Sequence, residues 1–118
     1  MVNILVVDDE PDLRFILRRI FEGAGHQVTE ARHGAAALDA IAAAPPDLVV
    51  TDMMMAVMGG AELIRRLRAE PGTATIPIMA VSGDPHLAGG ADVIVSKPFQ
   101  KRELLASVDG LLNPKEAK

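Results

Sequence analysis

Asp8, Asp9, Asp52, Ser82 and Lys97 are the residues of this 118-residue chain whose types and surroundings can do chemistry. Each stands at the end of a short apolar run: "VNILVV" before the Asp8–Asp9 pair, "LVVT" before Asp52, "IMAV" before Ser82 and "VIV" shortly before Lys97. Runs of this kind, rich in β-branched residues, read as strands buried on both faces. The polar residues therefore fall where strands finish. Three carboxylates brought together repel one another, and a buried, isolated carboxylate takes up a proton instead. A hard divalent cation resolves that repulsion, and oxygen-only donors with retained waters favour Mg²⁺. A lysine opposite supplies fixed positive charge, and a serine supplies a hydroxyl donor. Together they suit a transferring phosphoryl group: cation and lysine neutralise charge on the phosphoryl oxygens while one carboxylate oxygen acts as nucleophile. Such chemistry is mainly positioning and electrostatics, so few residues suffice. Taken singly, each residue has an ordinary reading: a helix cap for Asp9, turn residues for Asp8, Asp52 and Ser82, a solvated surface lysine. Their conjunction at the ends of separate strands favours a site.

The elements that must position them alternate in period. After the strand Val2 to Val7, Leu13, Ile16, Leu17, Ile20 and Phe21 form one stripe of a helix, with Pro11 in its first turn, Asp9 available to cap it and Gly23 and Gly25 to end it. Residues 27–31 read as a more polar strand, and the alanine-rich stretch from Gly34 as a helix stopped at Pro45-Pro46. Leu48 to Thr51 is a buried strand, Ala61 to Ala69 a helix, Ile76 to Val81 and Val93 to Val95 two more strands, and Gln100 to Leu112 a last helix. Such alternation implies an α/β fold: an open parallel sheet with helices on both faces. Five strands fit the doubly wound, flavodoxin-like order 2-1-3-4-5, in which ligands bind beyond the carboxyl ends of the strands. Strands 1 and 3 are then neighbours, so Asp8, Asp9 and Asp52 converge.

Composition narrows the functions available. The chain has 16 acidic and 12 basic residues, a net charge of −4 and 49% hydrophobic residues. That excludes a disordered chain and argues against a general nucleic-acid binder, which needs a basic face. No cysteine is present, so disulfides, thiolate metal sites and a cysteine nucleophile are excluded. The core must be aliphatic, because Phe15, Phe21 and Phe99 are the only aromatics. Met53, Met54, Met55 and Met58 read as packing residues, and His26, His33 and His86 as surface residues. No apolar run reaches membrane-spanning length and no leader pattern opens the chain. The expectation is one soluble cytoplasmic domain over residues 1–118 with no output domain.

The segments "ILVVDDEP", "DLVVTDMMM", "IPIMAVSG" and "GADVIVSKPF" resemble the receiver domain of two-component response regulators, the CheY-like family, along essentially the whole chain. The resemblance implies that Asp52 accepts a phosphoryl group from a sensor histidine kinase or a histidine phosphotransfer protein. It implies that Asp8 and Asp9, with Asp52 and the backbone carbonyl of Met54, hold Mg²⁺, with Asp9 the more direct ligand. Ser82 takes the switch-hydroxyl position and Lys97 the phosphoryl-pairing position. Three departures stand out. Ala56 replaces the usual proline, which is expected to loosen the loop after Asp52. Ile94 replaces the usual aromatic three residues before the lysine. Only residues 83–91 join strand 4 to strand 5, where a crossover generally needs a dozen or more residues. Helix 4 is accordingly expected to be absent or one turn long, with residues 83–91 ordering when Asp52 is phosphorylated.

The functional expectation is a single-domain phosphoacceptor that catalyses only its own phosphorylation and dephosphorylation. It would signal through a downstream protein partner, without binding nucleic acid directly or entering a membrane. The alternative is a pseudo-receiver interaction module, or a phosphate sink without phosphorylation-driven output. An aspartyl-nucleophile phosphohydrolase would want its second aspartate two residues after the first. A flavin carrier would want a phosphate-cradling loop where "DDEP" presents negative charge.

Overall fold

The computed structural model of the chain describes residues 2–55, 57–83 and 89–112. Among the described residues, five strands and four helices follow one another as β1 (Asn3–Val7), α1 (Pro11–Gly23), β2 (Gln27–Ala31), α2 (Gly34–Ala43), β3 (Leu48–Asp52), α3 (Gly60–Ala69), β4 (Ile78–Ser82), β5 (Val93–Ser96) and α4 (Lys101–Leu112). The strands form one sheet in the order β2-β1-β3-β4-β5, every neighbouring pair parallel. This is the expected doubly wound order.

Alternate residues of the strands feed two separate aliphatic cores. Leu5, Val7, Val49, Ile78 and Ala80 pack with Ala37 and Ile41 of α2 and with Leu63, Ile64 and Leu67 of α3. Ile4, Val6, Leu48, Val50, Met79, Val81 and Val95 pack with Leu17 and Phe21 of α1 and with Leu104 and Val108 of α4. Burial of both faces explains why β3 and β4 are apolar throughout until their last residues. The chain leaves α1 through Gly25, whose φ of +94° lies in the left-handed region that glycine enters without steric cost.

The expectation that the fourth helix is absent or one turn long is corrected here. Among the described residues the fourth helix is α4, a full 12 residues. It forms because Leu104, Leu105, Val108, Leu111 and Leu112 recur at helical spacing and bury against the α1 side of the sheet. In the β4–β5 connection itself, residues 84–88, including His86, lie outside the described residues. The expected ordering of 83–91 therefore lies largely outside them too.

Strand limits also shift slightly. β4 begins at Ile78 and not Ile76, because the Ile76 carbonyl accepts from Arg68 Nη1 (2.8 Å) and the Ile78 amide donates to Asp92 Oδ2 (2.7 Å). Pro77 between them has no amide hydrogen to give a ladder. At the start of α1, Glu10 takes the cap position that Asp9 was expected to fill, with no side-chain capping bond.

The β3–α3 loop is clamped at both ends. The Gly60 amide donates to the Met53 carbonyl (3.1 Å), and the Gly34 amide at the start of α2 donates to the Met58 carbonyl (3.0 Å). Ala56 lies outside the described residues. A methyl group on Gly60 would collide with the Asp52 carbonyl oxygen at the end of β3 and with the Met53 backbone just after it, neither of which can swing aside as a flexible side chain can. Gly72, by contrast, has nothing within 4 Å of such a group. Gly60→Ala is expected to lower unfolding free energy by about 1–3 kcal/mol, as overpacking does. Gly72→Ala is expected to change it by less than about 0.5 kcal/mol, as an open surface site does. Urea denaturation of the two variants compares them directly.

Candidate functional site

The site lies at the carboxyl edge of the sheet. Asp8 follows β1, Asp52 is the last residue of β3, Ser82 the last of β4, and Lys97 follows β5. Register brings them together: Val7 pairs with Thr51, Asp52 with Val81, and Ser82 with Ser96. One carboxylate oxygen from each of Asp8, Asp9 and Asp52 lies within 4.8 Å of the others. Asp8 and Asp52 are buried, 1% and 6% exposed, while Asp9 faces solvent.

Several donors hold these groups in place. The Asp8 amide donates to the Ala31 carbonyl (3.1 Å), and Asp8 Oδ1 accepts from the Glu10 amide (2.9 Å). Asp52 Oδ1 accepts from the Met53 amide (2.9 Å) and from Lys97 Nζ (3.1 Å). The Thr51 hydroxyl donates to the Asp52 carbonyl (2.7 Å). The Lys97 amide donates to the Ser82 carbonyl (2.9 Å), which ties the lysine's segment to the end of β4. The Lys97–Pro98 bond is cis.

Three carboxylates share this corner with one ammonium. Two like charges 4.8 Å apart repel by about 3 kcal/mol at an effective dielectric of about 20. Burial, the main cause, pushes the Asp8 carboxyl up to about 6; the charges of Asp52 and Asp9 push the same way, against the Glu10 amide and Lys97. An all-oxygen cluster with surplus negative charge and one exposed member fits a hard divalent cation.

Asp8, Asp9, Asp52 and Lys97 therefore meet at one place, and Ser82 ends the strand beside Asp52. Met54 differs from its expected packing role, since its side chain is 70% exposed, whereas Met53 is buried and Met55 and Met58 pack against the α2–α3 core. Ile94 is half-exposed on β5. His33 is more than a surface residue: its Nδ1 accepts from the Ala36 amide (3.1 Å) and caps α2. Arg14 and Glu30 escaped sequence reasoning, because a polar pair on a helix and a strand sixteen residues apart carries no spacing signal.

An open α/β sheet with an acidic cation-type cluster at its carboxyl edge defines the class of this domain. Residues 4–109 match the family described as the response regulator receiver domain. The chain belongs to that family. It is 38% identical over 122 residues to the sensor histidine kinase TmoS of Ectopseudomonas mendocina, covering 98% of this chain and 12% of that protein. It is 41% identical over 116 residues to the response regulator MprA of Mycolicibacterium vanbaalenii, covering 94% of this chain and 50% of that protein. Its fold matches the crystal structure of the signal receiver domain of a signal transduction histidine kinase from Syntrophus aciditrophicus with a TM-score of 0.91 and 30% identity, covering all of this chain and 95% of that one. The chain thus spans half or less of these two sequence relatives.

The raised Asp8 carboxyl has a consequence for stability. Between about pH 4 and 6 the folded chain holds a proton that the unfolded chain has released, so stability falls as pH rises through that window. Asp8→Asn is expected to stabilise the metal-free protein at pH 7 by about 1–3 kcal/mol, because it removes a buried carboxyl whose ionisation the fold opposes. The difference from the parent should vanish below about pH 4, where both side chains are neutral. Urea midpoints of the two proteins across pH check the sign.

Proposed function

We propose that this receiver domain accepts a phosphoryl group on Asp52 from the phosphohistidine of a sensor histidine kinase or histidine phosphotransfer protein. The observation that carries this is the contact of Lys97 Nζ with Asp52 Oδ1 at 3.1 Å, with Asp8 and Asp9 close by. Lys97 holds one oxygen of the nucleophile and marks the side where phosphoryl oxygens gather. The Met53 amide fixes the same carboxylate, so the attacking group is oriented before a donor arrives. The other carboxylate oxygen attacks phosphorus; the P–N bond to the donor imidazole breaks, and that imidazole leaves with a proton. Asp8, Asp9 and Asp52, with the Met54 backbone carbonyl, would hold Mg²⁺, which neutralises charge on the phosphoryl oxygens when bound.

Ser82 is the hydroxyl available to the phosphoryl group from the neighbouring strand. Phosphorylation replaces the single charge of the Asp52 carboxylate with a phosphoryl group carrying ~1.5–2 negative charges and three acceptor oxygens, which draw Ser82 and Lys97. The altered surface around them is what a downstream protein partner would read. Similarity to a region of a kinase and to half of a regulator supports a phosphorelay role in either setting.

Incubation with Mg²⁺ and a small acyl-phosphate donor should add one base-labile phosphoryl group per chain, read by intact mass. Asp52→Ala should abolish it; stoichiometric labelling of that variant would overturn the assignment. For the cation, Asp9→Asn is expected to weaken Mg²⁺ binding more than Asp8→Asn, since Asp9 is the exposed member and Asp8 Oδ1 is already engaged by the Glu10 amide. NMR titration of both variants with MgCl₂ would show equal or reversed losses if that division of roles is wrong.

A further inference from the structure

The geometry points to Arg14 as a positioning residue that sets the orientation of the Asp8–Asp9 peptide. This inference rests on the reading of Asp8 and Asp9 as a cation-binding pair. Arg14 lies in the first turn of α1, and its side chain is half-buried, 18% exposed. Nη1 donates to the main-chain carbonyl of Asp8 (2.7 Å), while Nε donates to Glu30 Oε1 on β2 (3.0 Å). The planar guanidinium thus spans from an edge strand to the peptide that joins the two acids.

Three contacts then fix that corner. On the amino side, the Asp8 amide is held by the Ala31 carbonyl, one residue beyond Glu30. Asp8 Oδ1 is held by the Glu10 amide. On the carboxyl side, the Asp8 carbonyl is held by Arg14. Rotation of the Asp8–Asp9 peptide plane would move the Asp9 carboxylate away from Asp8 and Asp52, and Arg14 is the side chain that opposes such rotation from the carbonyl end. Glu30 cannot drift, because its second oxygen accepts from Arg18 Nη1 (2.6 Å), and Arg18 Nε in turn donates to Glu22 (3.1 Å).

The charge arrangement supports positioning over simple attraction. Glu30 neutralises the guanidinium, so Arg14 can stand beside the acids without acting as an uncompensated cation that competes with a metal ion. A guanidinium with fixed fork geometry orients a peptide better than a flexible ammonium does. Groups that orient metal ligands without touching the metal typically change affinity 10–100-fold when removed.

The test is an NMR titration of the metal-free protein with MgCl₂, following the Asp9 amide, for wild type, Arg14→Met, Arg14→Lys, and the charge-swapped pair Arg14→Glu with Glu30→Arg. Arg14→Met should bind Mg²⁺ about tenfold more weakly, and Arg14→Lys should recover part of the loss. The swapped pair restores an ion pair between α1 and β2 but turns a carboxylate towards the Asp8 carbonyl, so it should not recover. Before any metal is added, the Asp8 carbonyl ¹³C resonance should shift in Arg14→Met. Wild-type affinity in Arg14→Met, or full recovery in the swapped pair, would overturn the inference in favour of a simple staple. Should Arg14→Met fail to fold, Arg14→Lys decides, because it keeps the charge: Mg²⁺ binding weaker than wild type supports positioning, and wild-type binding overturns it. A wild type that fails to bind Mg²⁺ overturns the cation reading, and this inference with it.

Discussion

Three carboxylates crowded at one end of a parallel sheet are the constraint on which the rest of this structure turns. Their mutual repulsion and the burial of two of them oppose folding, and the chain answers with local donors. Lys97 and the Met53 amide converge on one oxygen of Asp52, and the Glu10 amide takes one oxygen of Asp8. These donors reduce the cost without removing it, which is why Asp8 still holds its proton well above the ordinary carboxylate range. A fold that keeps such a corner must hold it rigidly, since any slack would let the acids separate.

That rigidity comes from the two aliphatic cores. β1 and β3 are central strands, each hydrogen-bonded on both sides and buried on both faces, so the acids project from the least deformable part of the molecule. Phe21 is the only aromatic among the fully buried residues; valine, leucine, isoleucine, methionine and alanine side chains do the rest of the packing. Gly60 contributes by what it lacks, letting the start of α3 close against the Asp52 carbonyl.

Much of this was legible in the sequence. The strands announced themselves as runs of valine, isoleucine and leucine, and the site was legible because its residues interrupt those runs at their ends. Other features were hidden for identifiable reasons. Arg68 and Asp92 fix the start of β4 through contacts between distant segments, which no local period encodes. His33 caps α2 through a ring nitrogen, outside the usual set of serine, threonine, aspartate and asparagine. The fourth helix, expected from the short β4–β5 connection to be absent or one turn long, is instead α4, which follows β5 and was itself legible as the apolar stripe within Gln100 to Leu112. Arg14 and Glu30 meet only because β2 lies beside β1, a fact of topology and not of spacing.

The direction of the strands has one more consequence. With every strand parallel, all carboxyl ends gather at one pole and all amino ends at the other. β1 starts at the far pole, and α4, returning from the carboxyl end of β5 along the sheet, runs back towards it. Polypeptide joined before β1 or after α4 would therefore depart from the side away from the acids. The architecture therefore separates two poles: the acids stand at one, and the start of β1 and the end of α4 lie towards the other.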